Sequence, residues 1–159
     1  LGVDFLPGAI GFDPVAHQVD ADFAAAVMWL DAFTSNVDRS WRNPNLLVWH
    51  GDVWLIDHGA TLIFHHSWPT AAAAVTRPAD LDDHVLERSG RRALSAAHDR
   101  LSPMVTPDLL REIVALVPDV WLADEPGFAT PDDVRAAYVG QLTRRLAAAE
   151  AWLPAEAVR

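Results

Sequence analysis

Hydrophobic and polar positions change their period along this chain. From Asp20 to Phe33, apolar Phe23, Val27, Leu30 and Phe33 recur at spacings of four and three. That period predicts a helix with one apolar stripe, and Asp20 is suited to cap its N-terminus. Thr34, Ser35 and Asn36 then end it. Pro44 keeps the loop from Val37 to Asn45 out of a helix. Leu46 to Trp49 and Val53 to Ile56 are apolar runs rich in β-branched and aromatic residues. They flank His50-Gly51-Asp52, so a hairpin is expected with its glycine in the turn.

Outside this centre the pattern is mostly helical. Residues 1–14 are broken by Pro7, Gly8, Gly11 and Pro14, with Val3, Phe5, Leu6 and Ile10 expected to anchor them to a core. Pro69 and Pro78 flank an alanine-rich stretch that suits a short helix. Further helices are expected from about Leu81 to Ser89 and from Gly90 to Leu101. Thr106-Pro107 and Thr130-Pro131 both place a capping hydroxyl before a first-turn proline. The first starts a helix with Leu109, Leu110, Ile113, Val114 and Val117 on one broad face, ended by Pro118. The second starts a long final helix with Val134, Tyr138, Leu142, Leu146, Ala149 and Leu153 as its buried stripe. The expected class is α+β, mainly α, and residues 1–159 suit one domain.

Composition narrows the function. Hydrophobic residues make up 51% of the chain, enough for a sizeable core. With no cysteine, disulfides, thiolate zinc sites and a cysteine nucleophile are excluded, and a reducing cytoplasm is the expected location. The formal net charge of -10 disfavours nucleic acid as a partner. The apolar runs are too short to span a bilayer, so no membrane association is expected. All fixed cations are arginine, because the chain contains no lysine. A first residue of Leu1 rather than methionine is what a piece of a longer polypeptide would carry.

Asp38, Asn43 and Asp57 are the candidate chemistry. Asp38 and Asn43 stand five residues apart in the loop, and Asp57 follows fourteen residues later, where the second strand runs out. Kinase-type phosphoryl transfer needs an acid beside the attacking hydroxyl and two oxygen donors that hold magnesium against nucleotide phosphates. The D-x4-N spacing is that of a kinase catalytic loop, and Asp57-His58-Gly59 stands where such enzymes carry D-F-G. Each residue also has a plainer role open to it. Asp38 and Asn43 could form Asx turns, and Asp57 could merely end a strand. Asn45 competes with Asn43, though spacing favours Asn43 as ligand and leaves Asn45 to satisfy backbone groups near Pro44. Arg39 reads as a structural ion pair, and Arg42 as either a phosphate contact or a loop brace. His50, His58, His65 and His66 lack a zinc-binding spacing, so zinc is not expected; His58 is placed to orient Asp57. Trp41 reads as packing, or as part of a substrate pocket.

The run Asn36-Val37-Asp38-Arg39, then Arg42-Asn43-Pro44-Asn45-Leu46-Leu47, then Trp54-Leu55-Ile56-Asp57-His58-Gly59-Ala60, resembles the HipA-like kinase domain. That family is related in its core to protein, aminoglycoside and phosphoinositide kinases. Val117-Pro118-Asp119-Val120-Trp121-Leu122 and the last helix, with Tyr138 and Arg145, are similar to it as well. The resemblance implies the C-terminal, mainly helical lobe of a bilobal kinase. It implies an ATP- and magnesium-dependent phosphotransferase with Asp38 as catalytic acid-base and Asn43 and Asp57 as cofactor-binding magnesium ligands. The acceptor would be a protein or small molecule carrying a hydroxyl. Ser40 departs from the histidine of phosphoinositide kinases, and His58 from the D-F-G aromatic. The chain carries no N-terminal lobe, with its glycine-rich loop, phosphate-binding lysine and partner glutamate. The alternative is a catalytically degenerate lobe that serves as a protein-interaction module.

Overall fold

Helix α1 (Ala21–Thr34) is the centre of the structure, and the hairpin that follows it carries the candidate site. The computed structural model describes residues 5–157. The Asp20 carboxylate accepts the Asp22 and Phe23 N–H groups at 2.8 and 3.2 Å, satisfying two orphan donors of the first turn. Ser35, in the left-handed region at φ 58°, closes the helix. The expected single stripe is too narrow a description. Ala24, Ala25, Met28, Trp29 and Ala32 are buried along with Val27 and Phe33, whereas Leu30 is exposed. The cause is that α1 is packed on several sides at once, and its alanines let neighbouring backbone come close.

The strands β1 (Ile10–Gly11), β2 (Leu46–Trp49) and β3 (Asp52–Leu55) form one antiparallel sheet in the order β1-β2-β3. The β2–β3 hairpin appears where the apolar runs place it, pairing Leu47 with Trp54 and Val48 with Val53. Its turn residues His50 and Gly51 both have positive φ, 52° and 89°, as the tight right-twisted hairpin turn requires. Strand β1 is not visible in the sequence pattern. It pairs Ile10 with Val48 and Gly11 with Leu47, despite its breaker residues. The opening segment is anchored by buried Phe12; Phe5 and Ile10 are exposed, and Val3 lies outside the described residues.

After the hairpin come a 3₁₀ segment (Ile63–Thr70) and the helices α2 (Ala71–Ala74), α3 (Glu87–Gly90), α4 (Leu94–Leu101), α5 (Pro107–Ala115), α6 (Pro131–Ala147) and α7 (Ala149–Trp152). The helix expected over 81–89 shrinks to α3. Residues 82–86 are turns instead, because their backbone is taken up elsewhere: the Asp83 carbonyl accepts the Trp41 N–H at 3.2 Å, and Val85 N–H donates to the Arg39 carbonyl at 3.4 Å. Thr106 and Thr130 cap α5 and α6 as their sequence signals require, Thr130 in a reciprocal box with Asp133. On α5 only Leu110 is buried, while Leu109 and Ile113 are exposed. The final helix breaks at Ala148, yet Ala149 and Leu153 remain buried as expected.

Arg145 on α6 ties the far end of α1 in place. Its guanidinium donates to the Phe33, Ala32 and Ala74 carbonyls at 2.9, 2.7 and 2.6 Å. Two of these are carbonyls of the last turn of α1, for which a buried cation is a strong cap. Burial, reinforced by nearby Arg77, lowers its pKa to about 10, so it stays charged near neutral pH. The fold is thus α+β and mainly α, and residues 35–45 join α1 to the three-stranded sheet. No helix among the described residues is long and apolar enough to cross a membrane.

Candidate functional site

The loop between α1 and β2 is folded back on itself. Ser40 N–H donates to the Asn43 carbonyl at 3.0 Å, and Asn43 N–H donates to Ser40 Oγ at 3.3 Å. This closure brings Asn43 to Asp38. Asn43 Nδ2 donates to Asp38 Oδ2 at 2.8 Å, and Asn45 Nδ2 donates to the same oxygen at 3.1 Å. Two amide donors on one carboxylate oxygen fix the orientation of the carboxylate. Asp38 Oδ1 makes no hydrogen bond among the described residues. Asn43 Nδ2 is committed to Asp38, and Oδ1 of that exposed amide makes no hydrogen bond among the described residues.

Asn45 does more than the backbone role expected of it. It is buried, its side chain holds the Asp38 carboxylate, and its backbone has a φ of 48°, which asparagine tolerates better than most residues. Its carbonyl accepts the Ile56 N–H at 3.0 Å and also the Arg39 Nη1 hydrogen. Asn45 therefore joins the Asp38 loop to the residue just before Asp57.

Asp57 is exposed at the end of β3 with a φ of 49°. Its Oδ1 accepts the Gly59 N–H at 3.4 Å, which orients the carboxylate; His58 supplies no such bond. A side chain at Gly59 would sit 3.3 Å from that oxygen. Asp57 makes no direct hydrogen bond to Asp38 or Asn43 among the described residues. The structure thus unites Asp38, Asn43 and Asn45 in one bonded group, and the backbone of Ile56, the residue before Asp57, is tied to it through the Asn45 carbonyl. The donor set of two carboxylates and an amide oxygen is chemically suited to magnesium, which takes oxygen ligands and keeps several waters. Among the described residues, no three His, Cys, Asp or Glu side chains group to hold a metal ion.

Arg39 forms the buried ion pair expected of it, Nε to Asp31 Oδ2 at 2.6 Å. Its Nη2 has no hydrogen-bond partner among the described residues, and Arg39 borders a cavity of about 390 Å³, wide enough for water. Asp31 was not singled out by spacing. The only sign of it in the sequence is an acid inside the apolar run Leu30-Asp31-Ala32-Phe33. Its carboxylate also accepts from Asn36 Nδ2 at 2.8 Å and His84 Nε2 at 3.0 Å. Burial pushes its pKa up, but the hydrogen bonds from His84, Asn36 and Arg39 and the Arg39 charge outweigh that and hold it below the ordinary aspartate value.

The remaining candidates lie in other settings. Trp41 is half-buried with the Arg88 guanidinium 5.2 Å from its ring centroid, a packing role. Arg42 is exposed. His65 Nδ1 and the Tyr138 hydroxyl are 2.7 Å apart inside an aromatic group with Phe64 and Trp68. Burial, with a contribution from His66, lowers the His65 pKa against the opposing pull of Glu125. Comparison with family models, curated proteins and solved structures finds no match to this chain.

Proposed function

We propose that this chain is the catalytic-loop and metal-binding lobe of an ATP- and magnesium-dependent phosphotransferase of the HipA-like kind. The observation that carries the reading is the Asp38 carboxylate. One of its oxygens is held by the Asn43 and Asn45 amides and the other is free, with Asp57 on the adjoining strand end. In this reading Asp38 Oδ1 accepts the proton of an acceptor hydroxyl. Asn43 Oδ1 and the Asp57 carboxylate hold the cation. Magnesium, when bound, neutralises charge on the terminal phosphates of ATP. The protein's share of the rate enhancement is position and fixed charge, not covalent chemistry. The acceptor is a protein or small-molecule hydroxyl.

The test is transfer of the γ-phosphoryl group from ATP by the full polypeptide, with Mn2+ affinity measured by electron paramagnetic resonance. Asp38→Ala is expected to abolish transfer and leave Mn2+ binding intact. Asp57→Ala is expected to abolish both, with the circular dichroism spectrum unchanged in each. Transfer retained by either variant rejects the assignment. The second reading, a degenerate lobe that binds a protein partner, draws on the absence of any lysine in the chain. It predicts no Mn2+ or ATP binding by the unmodified protein.

A further inference from the structure

We infer that Asp31 is a positioning residue for the Asp38 carboxylate, acting through Asn36, Arg39 and His84. Its effect on turnover rests on the phosphotransfer reading above; its effect on loop geometry does not.

Asp31 is almost fully buried near the end of α1, and its two oxygens take three donors. Each donor governs a different part of the site. Asn36 gives its Nδ2 hydrogen to Asp31 Oδ1 and, with Oδ1, accepts the Asp38 N–H at 3.1 Å. That bond sets the backbone from which the Asp38 side chain projects. Arg39, held at Nε, reaches with Nη1 to the Asn45 carbonyl, the same atom that fixes Ile56 beside Asp57. His84 brings in the turns at 82–86, where its backbone bridges to Ser40.

The protonation pattern is determined by geometry. Leu86 N–H donates to His84 Nδ1 at 3.1 Å, so that nitrogen is the acceptor and Nε2 carries the hydrogen given to Asp31. His84 thus has a partner at each ring nitrogen, and Asp31 forms its ion pair with Arg39. A buried ion pair is a poor route to net stability, because an apolar pair of the same volume often does as well. Here one carboxylate instead fixes the relative placement of the loop, the strand before Asp57 and the 82–86 turns.

The test uses the full polypeptide with Asp31→Asn, Asn36→Ala and Asn36→Ser. Asp31→Asn turns an NH2 group toward at least one donor and leaves Arg39 without its counter-charge. Asn36→Ala leaves the Arg39–Asp31 ion pair in place and removes the link from Asp31 to the loop, both the Nδ2 donor to Asp31 and the acceptor for the Asp38 N–H. Asn36→Ser restores an oxygen that can accept that N–H two residues on. Asp31→Asn and Asn36→Ala are expected to lower kcat by about 10- to 100-fold, the scale of a small misplacement of a catalytic group, while KM for ATP stays within about threefold. Asn36→Ser is expected to recover most of the loss. The Asp38 amide is expected to exchange its hydrogen faster in Asp31→Asn and Asn36→Ala, by nuclear magnetic resonance, at temperatures where circular dichroism reports a folded chain. Unchanged kcat in Asn36→Ala, or unchanged Asp38 exchange, overturns the inference. If the unmodified protein transfers no phosphate, the phosphotransfer reading fails and amide exchange alone decides the positioning role. If Asp31→Asn does not fold, the two Asn36 variants decide it.

Discussion

Replacing Asn45 separates its side-chain bond to Asp38 from its backbone strain. Asn45 is buried, holds a positive φ of 48°, and donates Nδ2 to Asp38 Oδ2 at 3.1 Å. A hydrogen bond to a charged acceptor contributes about 1.5–3 kcal/mol; Asp38 is only half-buried, so the lower end, about 1.5 kcal/mol, applies. Alanine loses that bond and also meets the left-handed backbone, which costs a non-glycine residue about 1–2 kcal/mol. Asn45→Ala is therefore expected to lose about 2.5–3.5 kcal/mol. Asn45→Gly loses the bond but not the backbone fit; its extra unfolded-state freedom costs about 0.5–1 kcal/mol, for a total of about 2–2.5 kcal/mol. Urea unfolding followed by tryptophan fluorescence measures both. A double-mutant cycle with Asp38→Ala should return a coupling of about 1.5 kcal/mol. Losses below about 0.5 kcal/mol in both variants, or a coupling near zero, would refute the assignment of Asn45 to the Asp38 carboxylate.

Gly90→Ala should be among the most damaging small changes. A Cβ there would stand 2.7 Å from backbone atoms of Ala24 and Ala25, which cannot swing aside, so urea unfolding should register a loss of at least about 1–3 kcal/mol. Thr130→Ala breaks the capping box of α6 and should cost about 1 kcal/mol by the same measurement. Tyr138→Phe leaves His65 Nδ1 without its partner and should cost about 1 kcal/mol. Acid should weaken the fold through Asp31. Its folded-state pKa lies below the ordinary value of 3.8, so its stabilisation is complete above that value and is lost as pH falls through the folded one. The urea midpoint of Asp31→Asn should accordingly change less between about pH 5 and pH 3 than that of the unmodified protein; an identical acid profile would contradict the network.

What the sequence determined by itself was whatever depends on near neighbours. The Asp20, Thr106 and Thr130 caps bond to N–H groups two or three residues away. The hairpin turn needs only two residues that accept positive φ, and Asn43 reaches Asp38 within one short loop. The C-terminal half of the fold was legible as helices for the same reason. Tertiary structure alone decided the rest. Strand β1 exists because the edge of β2 supplies partners to a segment whose own pattern is broken by glycine and proline. The 82–86 stretch gives up its helical period because the Asp38 loop takes its backbone groups. Asp31 and His84 are 53 residues apart, and nothing in the period of either segment marks them as partners. Hydrophobic period reports which face of an element is buried, but a polar side chain is buried only where distant partners satisfy it, and those partners are assembled by the fold.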